Sequence, residues 1–189
     1  MRGVQEGVKR FAALLLVLLL PLLAAENARS RMEAISAGKL RRGAVVIFRS
    51  QELLGVGQEE LEKRMPGVVS DLSLTLGNGW AAGSGNVDFL RLQRSWTGED
   101  AGFVLRRLLG GVRPVTVRVR LSSAGGRARV DVERVTVSGI VLEGAGLEFL
   151  VRAYVRTVFP DAVQGEWFPL DPHLEQVALE PGRAVAVVK

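Results

Sequence analysis

The 189-residue chain has no cysteine and a single histidine, His173. Without thiols, disulfides, thiol nucleophiles, zinc–thiolate sites and iron–sulfur ligation are all excluded. A Ser-His-Asp arrangement would have to be built around His173, and a metal site there has no second imidazole within reach of Asp171 and Glu175. Charge of one sign is also scarce. The formal net charge is +5 over the full chain, and no dense basic tract of the kind that tracks nucleic acid is present. No nucleic acid is expected as a partner, and no cofactor is implied. There is no internal repeat, low-complexity tract or linker between domains. No apolar run reaches the ~20 residues that a bilayer span requires.

One apolar run does exist, at the start. Arg2, Lys9 and Arg10 precede Phe11–Ala25, fifteen residues without a charge, interrupted by Pro21 and ending Leu23-Ala24-Ala25. A basic beginning, a short apolar centre and small residues at the exit form an export signal. The expectation is therefore a signal peptide at 1–25, removed on export or retained as a membrane anchor, with the protein in the periplasm or outside the cell. Cleavage after Ala25 leaves 164 residues and a net charge of +3, enough for one domain with its own core. The basic residues are mostly arginine, 21 of 25. Genome composition accounts for such a bias, and guanidinium forks for anions are the functional alternative.

Residues 26–42 are mixed and charged. They read as a flexible leader holding at most a short helix near Met32 to Ala37, with the domain proper at 43–189. Gly43 to Phe48 is rich in branched residues and reads as a strand. Ser50 offers a helix cap, and Gln51 to Arg64 reads as the helix, weakened at Gly55 and Gly57 and ended by Pro66-Gly67. Val68 to Leu76 alternates, with Leu72, Leu74 and Leu76 on one face. Asn78-Gly79 then predicts a tight turn with positive φ at both positions. In that register the three leucines oppose Ala81, Gly83 and Gly85. Large residues facing small ones leave a shallow trough, to be filled by a closely packed helix or by a ligand.

Thr97 to Asp100 has the form of a capping box opening a helix to about Leu109. Val112 to Gly139 is a long hairpin. Centring its turn on Gly125-Gly126 sets Arg120 beside Asp131 and Arg118 beside Glu133, whereas the neighbouring register puts Arg120 opposite Arg129 and costs up to about 1 kcal/mol. The apolar phase shifts between Val132 and Val135, which predicts a bulge near Glu133-Arg134. Leu147 to Phe159 reads as a helix with Leu147, Leu150, Val151 and Tyr154 on one stripe, apolar nearly all round and needing cover on two sides. Trp167-Phe168 forms an aromatic knot in a loop. Leu174 to Leu179 and Arg183 to Val188 pair around Pro181-Gly182.

Catalytic patterns are fragmentary. Gly83-Ser84-Gly85 lacks the first glycine of a nucleophile elbow, which is Ala82 here, and lies where a strand continues. Glu99-Asp100 suits a helix start for the backbone dipole alone. Arg118, Arg120, Arg127 and Arg129 offer either a face for lipid phosphates or a solvated sheet face neutralised by Asp131 and Glu133.

The layout of strand, Ser-Gln-Glu-Leu helix start, DLSLTLGNGWAAGSGNVDFLRL, helix, a hairpin ending VERVTVSGIVL and a greasy helix is similar to that of small exported bacterial proteins. It distantly resembles periplasmic phospholipid-binding proteins with a TULIP-like fold. The resemblance implies a curved antiparallel sheet wrapped on a helix beside a lipid groove, and it carries over no individual site residue. The expectations are thus an α+β fold, a twisted antiparallel sheet with helices on its apolar face, behind the N-terminal signal helix. The activity expected is non-enzymatic binding at the cell envelope of a lipid or other apolar molecule. The residues expected to line the site are Ala81, Gly83, Gly85, Leu147, Leu150, Val151, Tyr154, Trp167 and Phe168. The alternative is a structural module meeting an envelope protein or a second copy of itself.

Overall fold

The computed structural model describes residues 26–92, 110–144 and 165–189. The signal at 1–25 and the helices expected at 97–109 and 147–159 lie outside the described residues. What is described is α+β and antiparallel throughout its two sheets.

The first departure from the sequence reading is the supposed leader. Residues 26–36 form a helix, α1, and Ala28 and Ile35 are buried. They pack with Phe48, Ala186 and Val188. Ala28 and Ile35 lie seven apart, two helical turns, so a charged helix shows one narrow apolar seam and still docks. The residues that looked mobile because of their charge carry that charge on the outer faces.

β1 (Val45–Arg49) leads directly into α2 (Ser50–Arg64). Ser50 is the first helical residue rather than the cap. The Glu52 carboxylate instead accepts the Arg49 N–H at 2.7 Å, which satisfies a backbone donor left over at a helix start. α2 serves two cores. Leu53 and Val56 pack on the cluster around Phe48, and Leu61, with the following Met65, joins Val68, Phe89, Leu92, Val135 and Val137. Arg29 and Arg31 of α1 reach Glu59 and Glu52 of α2, tying the helices together.

β2 (Val69–Gly77), β3 (Trp80–Asp88), β4 (Val112–Ala124), β5 (Arg127–Val137) and β6 (Ile140–Leu142) run in that order across the large sheet, and β7 (Trp167–Pro169) also pairs with β5. Residues 89–92 are helical. β8 (Leu174–Glu180) and β9 (Arg183–Val188) form the predicted hairpin, but they belong to a separate sheet of order β1-β9-β8. The single sheet expected from sequence is therefore two. They join at a corner. Gly126 N–H donates to Glu175 O at 2.7 Å, Gly79 N–H to Leu179 O at 3.0 Å, and Val177 N–H to Ser123 Oγ at 2.9 Å. The turn ends of the large sheet thus occupy Glu175 O, Val177 N–H and Leu179 O on the outer edge of β8, which hinders pairing with another chain there.

The turns follow their glycines. Gly125 and Gly126 both take positive φ, 59° and 73°, as the two-residue hairpin requires. At Asn78-Gly79 only Gly79 does, at 70°, so Asn78 does not play the part that its type suggested. The register shift in the long hairpin falls where it was expected. Val119 pairs with Val132 and Arg118 with Arg134, leaving Glu133 as the extra residue.

Candidate functional site

Alternation sorts the large sheet into two faces. Leu74 and Leu76 oppose Gly83 and Ala81. Gly83 and Ala81 in turn oppose Val117 and Val119, and these adjoin Val135 and Val132 on β5. With Leu121 and Val130 this makes an apolar face extending from β2 to β5. At one end Leu61, Met65, Phe89 and Leu92 cover it around Val135 and Val137. Further along, Leu74, Val119, Leu121 and Val130 are only half-buried.

The expected pairing of leucines with small residues is present at Ala81 and Gly83, and at Gly85 the chain fills the trough. Leu72 does not face Gly85 in a regular ladder. Asp71, at φ 52°, is an extra residue between Ser70 and Ser73, pinned by Asn86 Nδ2 donating to its carboxylate at 2.8 Å. The bulge swings Leu72 over Gly85. A Cβ placed on Gly85 would lie 3.1 Å from Leu72 Cδ2 and 3.0 Å from Ser70 O, so the chain fills this part of the trough itself. At Gly83 a Cβ would meet, among the described residues, only Ser73 O, at 3.9 Å. The part that no described side chain fills is therefore at Gly83, which lies between Leu74 and Val117. A pocket of about 190 Å³ lies between α2 and the bulge, lined by Leu61, Met65, Val69 and Leu72 with Gln58, Glu62, Ser70 and Asp71. It is below the ~300 Å³ at which small-molecule sites begin.

Trp167 and Phe168 do not act together. Phe168 pairs with Ala128 and Trp167 with Arg129, so successive side chains go to opposite faces. Ala128 is buried, whereas Trp167 is 42% exposed, on the polar side. Of the expected lining, Leu147, Leu150, Val151 and Tyr154 lie outside the described residues.

The opposite face is polar and partly neutralised, with Glu133 and Asp131 against four arginines. Glu133 accepts from Arg118 at 3.0 Å and Arg120 at 2.6 Å. The Arg120 guanidinium foremost, then that of Arg118, holds the Glu133 carboxyl below its ordinary range. Arg129 pairs with Asp131 at 2.9 Å, and Arg127 donates to Trp167 O. Arg118 also stacks 4.1 Å above the Trp80 ring, which packs on Gly77 across the turn. Of the two readings of these arginines, the described contacts are those of a solvated face.

The residues considered for catalysis are apart. Ser84 Oγ shares a hydrogen bond with Ser73 Oγ at 2.7 Å. His173 packs against Gly38, where a Cβ would come within 2.8 Å of Nε2. Its Nδ1 stands 3.3 Å from Asp171 Oδ1 without the alignment of a hydrogen bond. Asp171 accepts from the Ser36 hydroxyl and from the His173 backbone N–H, and these in that order lower its pKa. The carboxylate thus lies between hydroxyl and imidazole, whereas a triad needs the imidazole in the middle. Among the described residues no cluster of three potential metal ligands occurs.

What sequence reasoning missed is a second cleft, of about 740 Å³, at the junction of β1, α2 and the β8–β9 turn. It is lined by Arg31, Arg49, Arg183, Ile47 and the first turn of α2. No signal within the separate segments could have shown it, because β1 and β9 meet only in the folded chain. No family model, curated protein or solved structure matches this chain.

Proposed function

We propose that this chain is an exported, non-enzymatic binding protein of the cell envelope, and that its ligand is a lipid or another apolar molecule seated on the large sheet at Ala81 and Gly83. The observation that carries the reading is the half-buried run of Leu74, Val119, Leu121 and Val130 beside Gly83, whose Cβ position has no described side chain within 4 Å. Native interiors leave few such gaps, and one lined by apolar side chains suits an apolar guest. The apolar run Phe11–Ala25 supports export, and the resemblance to periplasmic phospholipid-binding TULIP-like proteins supports a lipid in particular.

The test is chemical. The protein is purified without detergent and its organic extract is analysed by mass spectrometry. The expected result is a lipid or other apolar compound recovered in proportion to protein, with uptake of a fluorescent fatty acid by the emptied form. An empty extract together with no uptake would overturn the reading. A concentration-dependent dimer with no extractable ligand would favour the interaction module instead.

A further inference from the structure

The small sheet has an outer face. On β1 and β9, Phe48, Ala184, Ala186 and Val188 are buried, while Val45, Ile47, Val185 and Val187 alternate to the other side. Val45 is 59% exposed and Ile47 41%. Val45 pairs with Val187 and Ile47 with Val185, so the four form one aliphatic strip. The next pair along the same ladder is Arg49 opposite Arg183.

Like charges directly opposite in a sheet repel, and an anion between them removes that cost. Arg183 has Glu180 at 2.6 Å, but no acid among the described residues pairs with Arg49. Both arginines open into the 740 Å³ cleft, where the single carboxylate among the described lining residues, Glu52, is already engaged by Arg31 and by the Arg49 N–H. At the opposite end the strip follows the loop carrying Lys39, Arg41 and Arg42, all exposed. An aliphatic strip with cations at both ends matches a surface that is apolar within and anionic at its boundary. Strand addition fits this edge poorly, because the Arg31 guanidinium already occupies the Ile47 carbonyl. Among the described residues no helix is long and apolar enough to cross a membrane, so contact here would lie along the surface.

We infer that the outer face of the β1–β9–β8 sheet docks on a bilayer containing anionic lipid. Val45, Ile47, Val185 and Val187 enter the headgroup boundary, and Arg49 and Arg183 take lipid phosphate between them. The inference rests on the envelope location proposed above but not on a carried ligand. If the apolar run Phe11–Ala25 stays attached, it ends one residue before α1 and holds this sheet close to the bilayer.

The test is co-sedimentation of the full chain with vesicles of phosphatidylcholine alone and of phosphatidylcholine mixed equally with phosphatidylglycerol. The leader is common to all variants, so differences between them report the sheet. Binding to the mixed vesicles should exceed binding to phosphatidylcholine by about tenfold or more and should fall as salt is raised. Arg49→Gln with Arg183→Gln should abolish most of that preference. Val45→Ser with Ile47→Ser should weaken binding to both vesicles, with melting curves confirming that each variant is folded. No preference for the anionic vesicles, or folded variants that bind as the parent does, would overturn the proposal. An empty organic extract with this docking intact would remove the carried ligand and leave the docking face standing.

Discussion

At the residue scale, Gly83 and Gly85 look alike in sequence and differ in the fold. Among the described residues a methyl at Gly83 meets Ser73 O at ordinary contact distance, whereas at Gly85 it meets Leu72 and the Ser70 carbonyl. Gly83→Ala should be neutral or raise stability by about 0.4–1 kcal/mol through the unfolded chain. Gly85→Ala should cost about 1–3 kcal/mol by overpacking. Denaturant midpoints of the two variants, side by side, check the pair. Gly77→Ala should cost a similar amount, because the methyl falls on the Trp80 ring, and the cost should shrink in a Trp80→Ala background. The difference between the two trough glycines was not legible. Val68 stands four residues before Leu72, in phase with the leucines, and concealed the bulge at Asp71. In the fold Val68 is a buried residue of the preceding turn and not part of the strand. The equivalent break between Val132 and Val135 had no such decoy, and its bulge could be read directly.

Asp171 gives a pH dependence at the same scale. Its pKa is lowered in the fold, so its contribution is fully present above the ordinary aspartate value of about 4 and is lost as pH falls through the lower folded value. Wild type should therefore melt above Asp171→Asn at neutral pH, and the two curves should converge in acid. Melting temperature followed across that range is the check.

At the element scale, α1 is the sharpest difference between pattern and fold. Its charges suggested a leader, but Ile35 is 4% exposed in the core of the small sheet. Ile35→Ala should cost about 2–5 kcal/mol, read from equilibrium unfolding, whereas truncation within a mobile leader would cost nothing measurable. The hairpins were legible because their alternation and turn glycines are local signals. The docking of α1 was not, because the seam of Ala28, Met32 and Ile35 is narrow, starts on a small residue and is outnumbered by polar neighbours in a short segment. The polar face of the long hairpin was readable in part: Arg118 meets Glu133 as expected, but Arg120 also turns to Glu133, and Asp131 pairs with Arg129 of its own strand. Glu133→Gln should lower the melting temperature only slightly, and added salt should remove most of the difference, because these ion pairs are solvent-screened.

At the scale of the whole molecule, the two-sheet arrangement depends on β1 pairing with β9, from opposite ends of the described chain. Nothing in either segment names its partner, and this is why one sheet was expected and the arginine-lined cleft went unseen. Among the described residues, the apolar large-sheet face is covered at one end, and the small sheet has an aliphatic outer strip. A ligand seat on the large sheet is tested most directly by a folded variant that fills the place beside Leu74 and Val117. Gly83→Leu places a side chain in the space proposed for the ligand. Titration with a fluorescent fatty acid should show saturable uptake by the wild-type protein and none by Gly83→Leu with its melting temperature retained. Equal uptake by both would contradict the account.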